Sequence, residues 1–149
     1  MMIFVAADHA GFQMKEDLKK YLADLGYEVK DMGAFELNPG DDYPDLMFPM
    51  AKAVAENLGE NKGIAVCGSG QGEAMAANKV RGIRAAVVYD EYSARMSRQD
   101  NDANIMALGA RTLVIETAKR LVRMWLETPF SGEERHIRRI KKIAEEEKT

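Results

Sequence analysis

A glycine-rich loop between a predicted buried strand and a predicted helix constrains this chain more than any other feature of its sequence. Residues 63–80 read GIAVCGSGQGEAMAANKV. The apolar run 64–66 predicts a buried strand, and the residues after the loop are rich in strong helix formers. The first backbone N–H groups of such a helix lack partners within it, and glycines let a ligand approach the backbone closely. The loop therefore predicts an anion-binding pocket, with Cys67 and Glu73 as possible proton-transfer groups at its edges.

The same loop is also compatible with a plain connection between a strand and a helix. It has neither the GxGxxG spacing of a dinucleotide site nor the GxxxxGK[ST] pattern of a P-loop. Both interpretations stay open on the loop alone.

Length and composition predict one ordinary globular domain over residues 1–149. The net charge of −3 argues against broad nucleic-acid binding. No apolar run approaches the roughly 20 residues of a membrane helix, and the first residues lack a basic region before a long apolar stretch, so we expect no membrane span and no signal peptide. The single cysteine excludes an internal disulfide and predicts a cytoplasmic location.

Predicted strands and helices alternate along the whole chain, which favours an α/β fold with a mostly parallel sheet of about five strands and helices on both faces. A charged C-terminal helix follows. The predicted strands are residues 3–7, 27–32, 64–66, 84–89 and 105–108, and the predicted helices are residues 12–25, 45–58, 73–79, 91–98, 115–126 and 133–148.

Polar residues follow several of the predicted strands, where parallel sheets bind their ligands. Asp8 and His9 follow the first strand, Tyr43 lies in the loop after the second, and Arg111 follows the fifth. Residues 100–101 (Asp100 and Asn101) precede the fifth strand, so they join this edge only if the short helix before them ends there.

Two arginines of the charged tail have the spacing of a phosphate site. Arg135 and Arg139 are four residues apart and so lie on one helix face, where two guanidinium groups suit a phosphate. The plain alternative is a solvated basic helix. The only histidines, His9 and His136, have no ligand cluster nearby in the sequence, so we predict no metal site.

Cys67 and Glu73 each have a structural and a chemical interpretation. A lone cysteine is by default a small buried apolar residue, but at a helix N-terminus its thiolate is stabilised and its pKa falls. Glu73 is either a favourable first-turn acid or, in a partly desolvated pocket, a general base.

Taken together, the motifs resemble the ribose-5-phosphate isomerase type B family, which includes galactose-6-phosphate isomerase subunits. The match covers nearly the whole chain in the same order. It comprises Asp8-His9-Ala10-Gly11 with Lys15, Asp42-Tyr43-Pro44, Cys67-Gly68-Ser69-Gly70-Gln71-Gly72, Ala76-Ala77-Asn78-Lys79, Gly82-Ile83-Arg84-Ala85, Ser97-Arg98-Gln99, Asn101-Asp102-Ala103-Asn104, Gly109-Ala110-Arg111 and Arg135-His136 with Arg139.

The resemblance implies a Rossmann-like three-layer fold and an aldose–ketose sugar-phosphate isomerase that needs no metal or other cofactor. It implies a homodimer, sometimes paired into a tetramer, whose active sites take residues from both subunits. The default reaction is the interconversion of ribose 5-phosphate and ribulose 5-phosphate through an enediol, a step of the pentose phosphate pathway.

The resemblance also implies roles for individual residues. Cys67 is the base in many members, Ser69 assists at the substrate oxygen, and backbone N–H groups of the loop hold the oxyanion. The substrate-binding positions implied are Asp8, His9, Tyr43, Gly68, Gly70, Gln71, Gly72, Asn101, Arg111, Arg135 and Arg139.

Two departures from the family pattern leave alternatives open. The family usually has a ring-opening histidine at the position of Asp100, so either ring opening is done differently or the substrate is another sugar phosphate, with four or six carbons. Both candidate bases are present, because some members use a glutamate at the position of Glu73. We favour Cys67 because the loop should stabilise its thiolate. A non-catalytic module that binds a sugar phosphate or nucleotide is the alternative from another class.

Overall fold

The computed structural model describes residues 1–148 as one α/β domain of five strands and six helices. The strands are β1 (Met2–Ala7), β2 (Glu28–Asp31), β3 (Lys62–Cys67), β4 (Ala85–Val87) and β5 (Ile105–Gly109). The helices are α1 (Phe12–Asp24), α2 (Tyr43–Ala55), α3 (Gln71–Ala77), α4 (Glu91–Gln99), α5 (Ile115–Glu127) and α6 (Glu134–Glu146).

All five strands form one parallel sheet in the order β2-β1-β3-β5-β4, which confirms the predicted sheet. The chain moves from β1 outward to β2 and then returns to the other side of β1 with β3. The strand order therefore reverses between β1 and β3, and a crevice for a ligand is expected where their carboxyl ends diverge.

The two faces of the sheet bury separate cores because successive side chains of a strand point to opposite faces. Ile3 and Val5 of β1 pack on the face covered by α1, α4 and α5, whose centre is the fully buried Trp125. Phe4 and Ala6 pack on the face covered by α2 and α3. Three layers result, as predicted.

Helix α6 lies beside this sandwich and contributes little to either core. His136 is its one buried residue, whereas Ile137 and Ile143 are about half exposed. Hydrogen bonds tie the tail to the rest of the chain from Ser131 N to Gln99 O and from Gly82 N to the Glu147 carboxylate. The apolar side of α6 is thus largely open to solvent.

The start of α2 differs from the prediction. The helix begins at Tyr43 with Asp42 as its N-cap, two residues before the predicted region, so Tyr43 lies in the first turn and not in the preceding loop. Pro44 does not delay the start, because first-turn residues need no intrahelical N–H partner. Strand β4 is three residues long and thus shorter than predicted. Within residues 1–148 no helix has the length and apolar character to cross a bilayer.

Candidate active site

A cavity of about 290 Å³ lies at the carboxyl edge of the sheet, where β1 and β3 diverge. The glycine loop and the first turn of α3 contribute most of its lining, together with residues that follow β1 and β5 and one residue of α2. Its lining residues are Asp8, Tyr43, Cys67, Gly68, Ser69, Gly72, Glu73, Arg111 and Thr112. The structure thus brings together most of the site residues that were predicted to follow the strands.

Close contacts explain why the loop between β3 and α3 needs its glycines. Gly70 is the N-cap of α3 and has φ 86°, a left-handed conformation that glycine adopts without strain. A Cβ at Gly72 would lie 2.5 Å from the Tyr43 ring, and one at Gly68 would lie 3.0 Å from Nη1 of Arg111. The loop is therefore shaped for side chains and ligands to approach its backbone.

Glu73 is the most unusual group in the cavity. Its side chain is about 1% exposed, and neither carboxylate oxygen has a hydrogen-bond partner of good geometry among the described residues. Burial raises its pKa to about 8, although the nearby Cys67 thiol and the Gly70 backbone act in the opposite direction. A carboxyl group with a pKa near neutrality is suited to take up and release a proton.

Cys67 shows the opposite of the expected electrostatics. Burial, and after it the neighbouring Glu73 carboxylate, raises the pKa of the thiol above its ordinary value. The expectation that the loop lowers this pKa is wrong, because the thiol ends a buried strand and faces an acid at close range. Cys67 is therefore a neutral thiol in the free protein at neutral pH.

Asp8 is fixed by the turn that follows β1. Its Oδ1 accepts hydrogen bonds from the backbone N–H groups of Ala10 at 3.0 Å and Gly11 at 3.2 Å. The side chain is nearly buried and lines the cavity. It presents a carboxylate of fixed orientation to a ligand.

His9 forms a pair with Asp41, a residue that was not predicted to belong to the site. The Nδ1 atom of His9 lies 2.7 Å from Oδ1 of Asp41, and the backbone N–H of His9 donates to the same oxygen at 3.1 Å. About a third of the His9 side chain is exposed, but only a tenth of the Asp41 side chain. Asp41 sits in a polar loop, 32 residues from its partner, so the only sequence signal was its place next to the Asp42-Tyr43-Pro44 motif.

A buried lysine anchors the loop that carries Asp41. Lys15 of α1 is inaccessible to solvent, pairs with Asp31 at 2.9 Å and donates to the carbonyl oxygen of Ala34. Asp31 in turn accepts from the backbone N–H of Gly33 at 2.8 Å. These bonds fix the first residues of the segment from 33 to 42 against α1 and β2.

Asp8, His9 and Asp41 are also the one group in the described chain with the spacing of metal ligands. One ligand atom from each lies within 4.8 Å of the other two. Oδ1 of Asp8 accepts two backbone N–H groups, whereas Oδ1 of Asp41 accepts the backbone N–H of His9 and faces its imidazole. The other oxygen of Asp41 is buried and has no hydrogen-bond partner among the described residues. The contacts of the two Oδ1 atoms are explained by hydrogen bonding within the protein.

The remaining predicted residues lie at the opposite edge of the sheet. Helix α4 runs from the carboxyl edge back to the amino edge, so the condition for Asp100 and Asn101 to reach the cavity is not met. Arg84, directly before β4, donates from Nε to the Asn101 carbonyl oxygen at 2.9 Å. Nε2 of His136, at the start of α6, lies 3.4 Å from Oδ1 of Asp100.

Arg135 and Arg139 therefore belong to the amino edge as well, since they flank His136 on α6, where both are exposed. The two edges are separated by the length of β3, about 17 Å for its six residues. One small ligand cannot contact both groups within a single chain. Gln71 is the first residue of α3, and its exposed side chain does not line the cavity; its backbone N–H lies 3.3 Å from the Ser69 hydroxyl.

Comparisons with known proteins identify the family of the chain. The model of the ribose/galactose isomerase family matches residues 3–143. The ribose-5-phosphate isomerase B of Mycobacterium tuberculosis is 36% identical over 149 residues, which cover all of this chain and 91% of that protein.

Two solved structures are similar over almost their full lengths. Ribose-5-phosphate isomerase B of Clostridium thermocellum is 46% identical with a TM-score of 0.93, covering 99% of this chain and 98% of that one. The enzyme of Mycoplasma genitalium, solved with bound ribulose 5-phosphate, is 39% identical with a TM-score of 0.96, covering 99% of this chain and 96% of that one.

Proposed function

The chain belongs to the ribose/galactose isomerase family, and from that premise we propose that its substrates are ribose 5-phosphate and ribulose 5-phosphate. It is an aldose–ketose isomerase of sugar phosphates. The observation that carries the proposal is the buried, unpartnered Glu73 beside Cys67 in a cavity lined largely by the glycine loop. A purely structural carboxyl group would have found hydrogen-bond partners.

Isomerisation moves a proton between C2 and C1 of an open-chain sugar. We assign the base to Glu73, which takes the proton from C2 of the aldose and returns it to C1 of the enediolate. Its pKa of about 8 makes its ionised form a stronger base than an ordinary carboxylate. This assignment reverses the preference for Cys67, because the buried thiol is harder to ionise than the carboxyl group next to it.

The glycine loop stabilises the charge that develops on the substrate oxygen. Its backbone N–H groups are candidates to hold the enediolate oxygen, and each such donor contributes about 3–4 kcal/mol in enzymes where it has been measured. The Ser69 hydroxyl assists proton exchange between O1 and O2, and Cys67 offers a neutral S–H beside the base. Asp8 and Tyr43 contact the sugar hydroxyls, and Arg111 contributes positive charge. All of these steps use groups of the protein, so the proposed reaction requires no cofactor.

A second copy of the chain completes the site. The residues at the amino edge, which are Asp100, Asn101, Arg135 and Arg139, cannot reach the cavity of their own chain. In a homodimer or tetramer they reach a neighbour's cavity, where the two arginines bind the phosphate and Asn101 contacts the sugar. The exposed isoleucines of α6 support this association, since an amphipathic helix normally buries its apolar side. We keep the cytoplasm as the proposed location, since Cys67 is free.

Turnover of a panel of aldose and ketose phosphates with four, five and six carbons tests the proposal. We expect rapid interconversion of ribose 5-phosphate and ribulose 5-phosphate, unaffected by a chelator. Preferential turnover of another panel member would show that the enzyme catalyses the same reaction on a different sugar phosphate. Binding of the sugars without exchange of their C1 or C2 protons with solvent would show a binding module and overturn the proposal.

A further inference from the structure

Two segments that carry motifs of the sequence have no role in the proposed reaction, although the fold brings them into contact. Residues 82–85 form the entry to β4, and residues 97–104 run from the end of α4 to the start of β5. They meet at the amino edge of the sheet because β4 and β5 are neighbours. Asn101, which is assigned to the sugar, lies in the second segment. The contacts between the segments therefore determine how Asn101 is held.

The side chain of Asn101 is free, whereas its backbone is held. Asn101 is exposed, and within residues 1–148 its side-chain amide forms no hydrogen bond. Its carbonyl oxygen accepts a hydrogen bond from Nε of Arg84 at 2.9 Å. Nη2 of the same guanidinium donates to the carbonyl oxygen of Asp102 at 2.9 Å and lies 3.5 Å from Oδ2 of that residue. One planar guanidinium thus fixes two successive peptide carbonyl groups beside the Asn101 side chain.

Asp102 has an unusual backbone conformation. Its φ of 45° makes it the one non-glycine residue of the described chain with a positive φ. Left-handed backbone is costly for residues other than glycine, although aspartate tolerates it better than most, and it persists where surrounding contacts hold it. The turn directly after Asn101 is therefore maintained by its contacts and not by local preference.

The Asp102 carboxylate connects this turn to the core. Its Oδ1 accepts a hydrogen bond from Nη1 of Arg98 at 2.8 Å. Arg98 is only 9% exposed, and its guanidinium lies 5.6 Å from the centre of the buried Trp125 ring. Arg84 is fixed through its own backbone, since its N–H donates to Oδ1 of Asn104 at 2.8 Å. Both sides of the contact between the two segments are therefore anchored.

We propose that Arg84 and Asp102 are positioning residues, which hold the Asn101 backbone so that its side chain enters the cavity of a neighbouring copy. This inference rests on the proposed function and on its shared site. Neither residue contacts the sugar, and both act through Asn101. A flexible turn would have to be ordered by the substrate at an entropic cost, whereas a held turn presents the side chain already oriented.

The plain alternative is that these contacts only stabilise the connection between β4 and β5. A structural role and a positioning role both predict that substitutions lower activity, so a loss of activity alone does not separate them. They differ in whether the effect depends on the Asn101 side chain. A structural contact matters whichever residue occupies position 101, but a positioning contact matters only while the asparagine side chain is present.

A double-mutant cycle between Arg84 and Asn101 tests the inference. Wild type, Arg84→Met, Asn101→Ala and the double variant are assayed for kcat/KM with the panel substrate that wild type prefers, at a temperature where circular dichroism shows each to be folded. Methionine keeps much of the apolar stem of the arginine and removes its hydrogen-bond donors. Arg123→Met is the matched control, because Arg123 is exposed and pairs with the Glu127 carboxylate at 2.8 Å on the surface of α5.

We expect Asn101→Ala to lower kcat/KM about 10-fold or more through the lost contact with the sugar. Arg84→Met should lower it at least about threefold, but by no more than Asn101→Ala, since a positioning residue cannot matter more than the group that it positions. The double variant should lie within about twofold of Asn101→Ala, because the two losses share one cause. Arg123→Met should stay within about twofold of wild type.

Asp102→Asn is the second variant, and it keeps the test decisive if Arg84→Met does not fold. Asparagine also tolerates a positive φ and keeps an acceptor for Arg98, but it lacks the charge. We expect a smaller loss of kcat/KM than in Arg84→Met, and this loss should again disappear when Asn101→Ala is already present.

Refolding of mixed variants shows in which cavity Arg84 acts. Glu73→Gln alters a chain's own cavity, whereas Arg84→Met should alter the cavity of the neighbour. An equimolar mixture of the two should therefore exceed the mean activity of its components, because each mixed dimer contains one site without either substitution. A mixture of Arg84→Met with Arg139→Ala should not, because every mixed site then carries one substitution.

Several results would overturn the inference. Losses that multiply in the double variant would show that Arg84 only supports the fold, and unchanged kcat/KM in both Arg84→Met and Asp102→Asn would show no role. A loss in Arg84→Met without one in Asn101→Ala would show that the arginine acts through another group. An equal loss in Arg123→Met would show a general effect of removing an arginine.

The mixing experiment has its own contrary outcome. A mixture of Arg84→Met and Glu73→Gln that stays at the mean of its components would place the effect of Arg84 in its own chain. A wild-type protein that turns over no member of the substrate panel would instead refute the proposed function itself.

Discussion

At the scale of the residue, the proposed assignment of the base depends on the environment of Glu73. A carboxyl group inside a protein normally finds hydrogen-bond donors, because an unpaired buried acid is costly to ionise. Glu73 has none of good geometry and stays mostly protonated at neutral pH. The same burial that makes its charge costly makes its ionised form a strong base.

Replacing the two neighbouring groups in turn tests the assignment of the base. We expect Glu73→Gln to lower kcat by at least about 10²–10⁴-fold, the usual contribution of a general base, and Cys67→Ala to lower it by about 10-fold or less. In the wild type, kcat/KM should rise with pH and level off above about pH 8, where Glu73 is ionised. A larger loss in Cys67→Ala than in Glu73→Gln would return the base to the thiol.

Glu73→Gln should also change the free energy of unfolding in a way that depends on pH. The folded-state pKa of Glu73 is raised from 4.5 to about 8, so between these pH values the folded protein retains a proton that the unfolded chain releases. Wild-type stability should therefore fall as pH rises through this window. At about 1.4 kcal/mol per pKa unit, Glu73→Gln should gain a few kcal/mol of unfolding free energy at pH 9 and nothing at pH 4. Denaturant unfolding at both pH values measures this difference, and an equal effect at both would refute the raised pKa.

Single residues also mark where sequence reasoning succeeded and failed. The candidate bases were both found from their places beside the glycine loop, but their relative acidity was not. A helix N-terminus favours a thiolate, yet burial of Cys67 at the end of β3 outweighs it, and burial cannot be read from a local pattern. Asp41 was missed because its partner His9 is distant in sequence.

At the scale of the element, the order and type of strands and helices could be predicted, but several ends could not. Apolar runs and helix periodicity gave β1, β3 and β5 and the main helices, because both patterns follow directly from burial. Tyr43 was expected in the loop before α2, but the helix begins at Tyr43 because proline is tolerated in a first turn. The close approach of α1 to β3 had no sequence signal beyond Gly11.

Gly11 is the residue that lets α1 begin directly against the end of β3. A Cβ there would overlap the backbone carbonyl group of Val66. We expect Gly11→Ala to lower the free energy of unfolding by about 3 kcal/mol or more, since backbone atoms of a central strand cannot yield as a side chain does. Chemical denaturation measures it. Gly40→Ala is the matched control, because a Cβ at Gly40 would meet only the Asn38 side chain, at 3.6 Å. This variant should change the free energy of unfolding by less than about 0.5 kcal/mol. Similar values for the two variants would contradict the contact.

At the scale of the whole molecule, the decisive feature is the separation of the predicted site residues into two groups. The sequence motifs predicted all of these residues as members of one site, but a motif does not indicate at which edge of a sheet its residues lie. Asp100 and Asn101 lie away from the cavity because α4 ends at the amino edge of the sheet, and the two arginines of α6 lie at the same edge. The proposed association of two chains would reconcile this separation with one site.

Mixing two impaired variants tests the shared site. Glu73→Gln disables the cavity and Arg139→Ala weakens the phosphate contact, so each homo-oligomer should be slow. In a mixed dimer one of the two sites carries both lesions and the other carries neither. We expect refolding an equimolar mixture to recover about a quarter of wild-type activity, since half of the dimers are mixed and each has one intact site.

The control is the separate refolding of each variant, which should recover only the low activity of that variant. A mixture no more active than the mean of its components would place all functional residues in a single chain.

The distance between the two edges also affects how the activity of such a protein depends on its expression level. When a complete site needs two chains, the number of working sites follows the square of chain concentration wherever association is incomplete. Halving expression would then remove more than half of the flux. The two arginines on the exposed helix would, in effect, set a minimum abundance below which the isomerase, though fully folded, does almost no work.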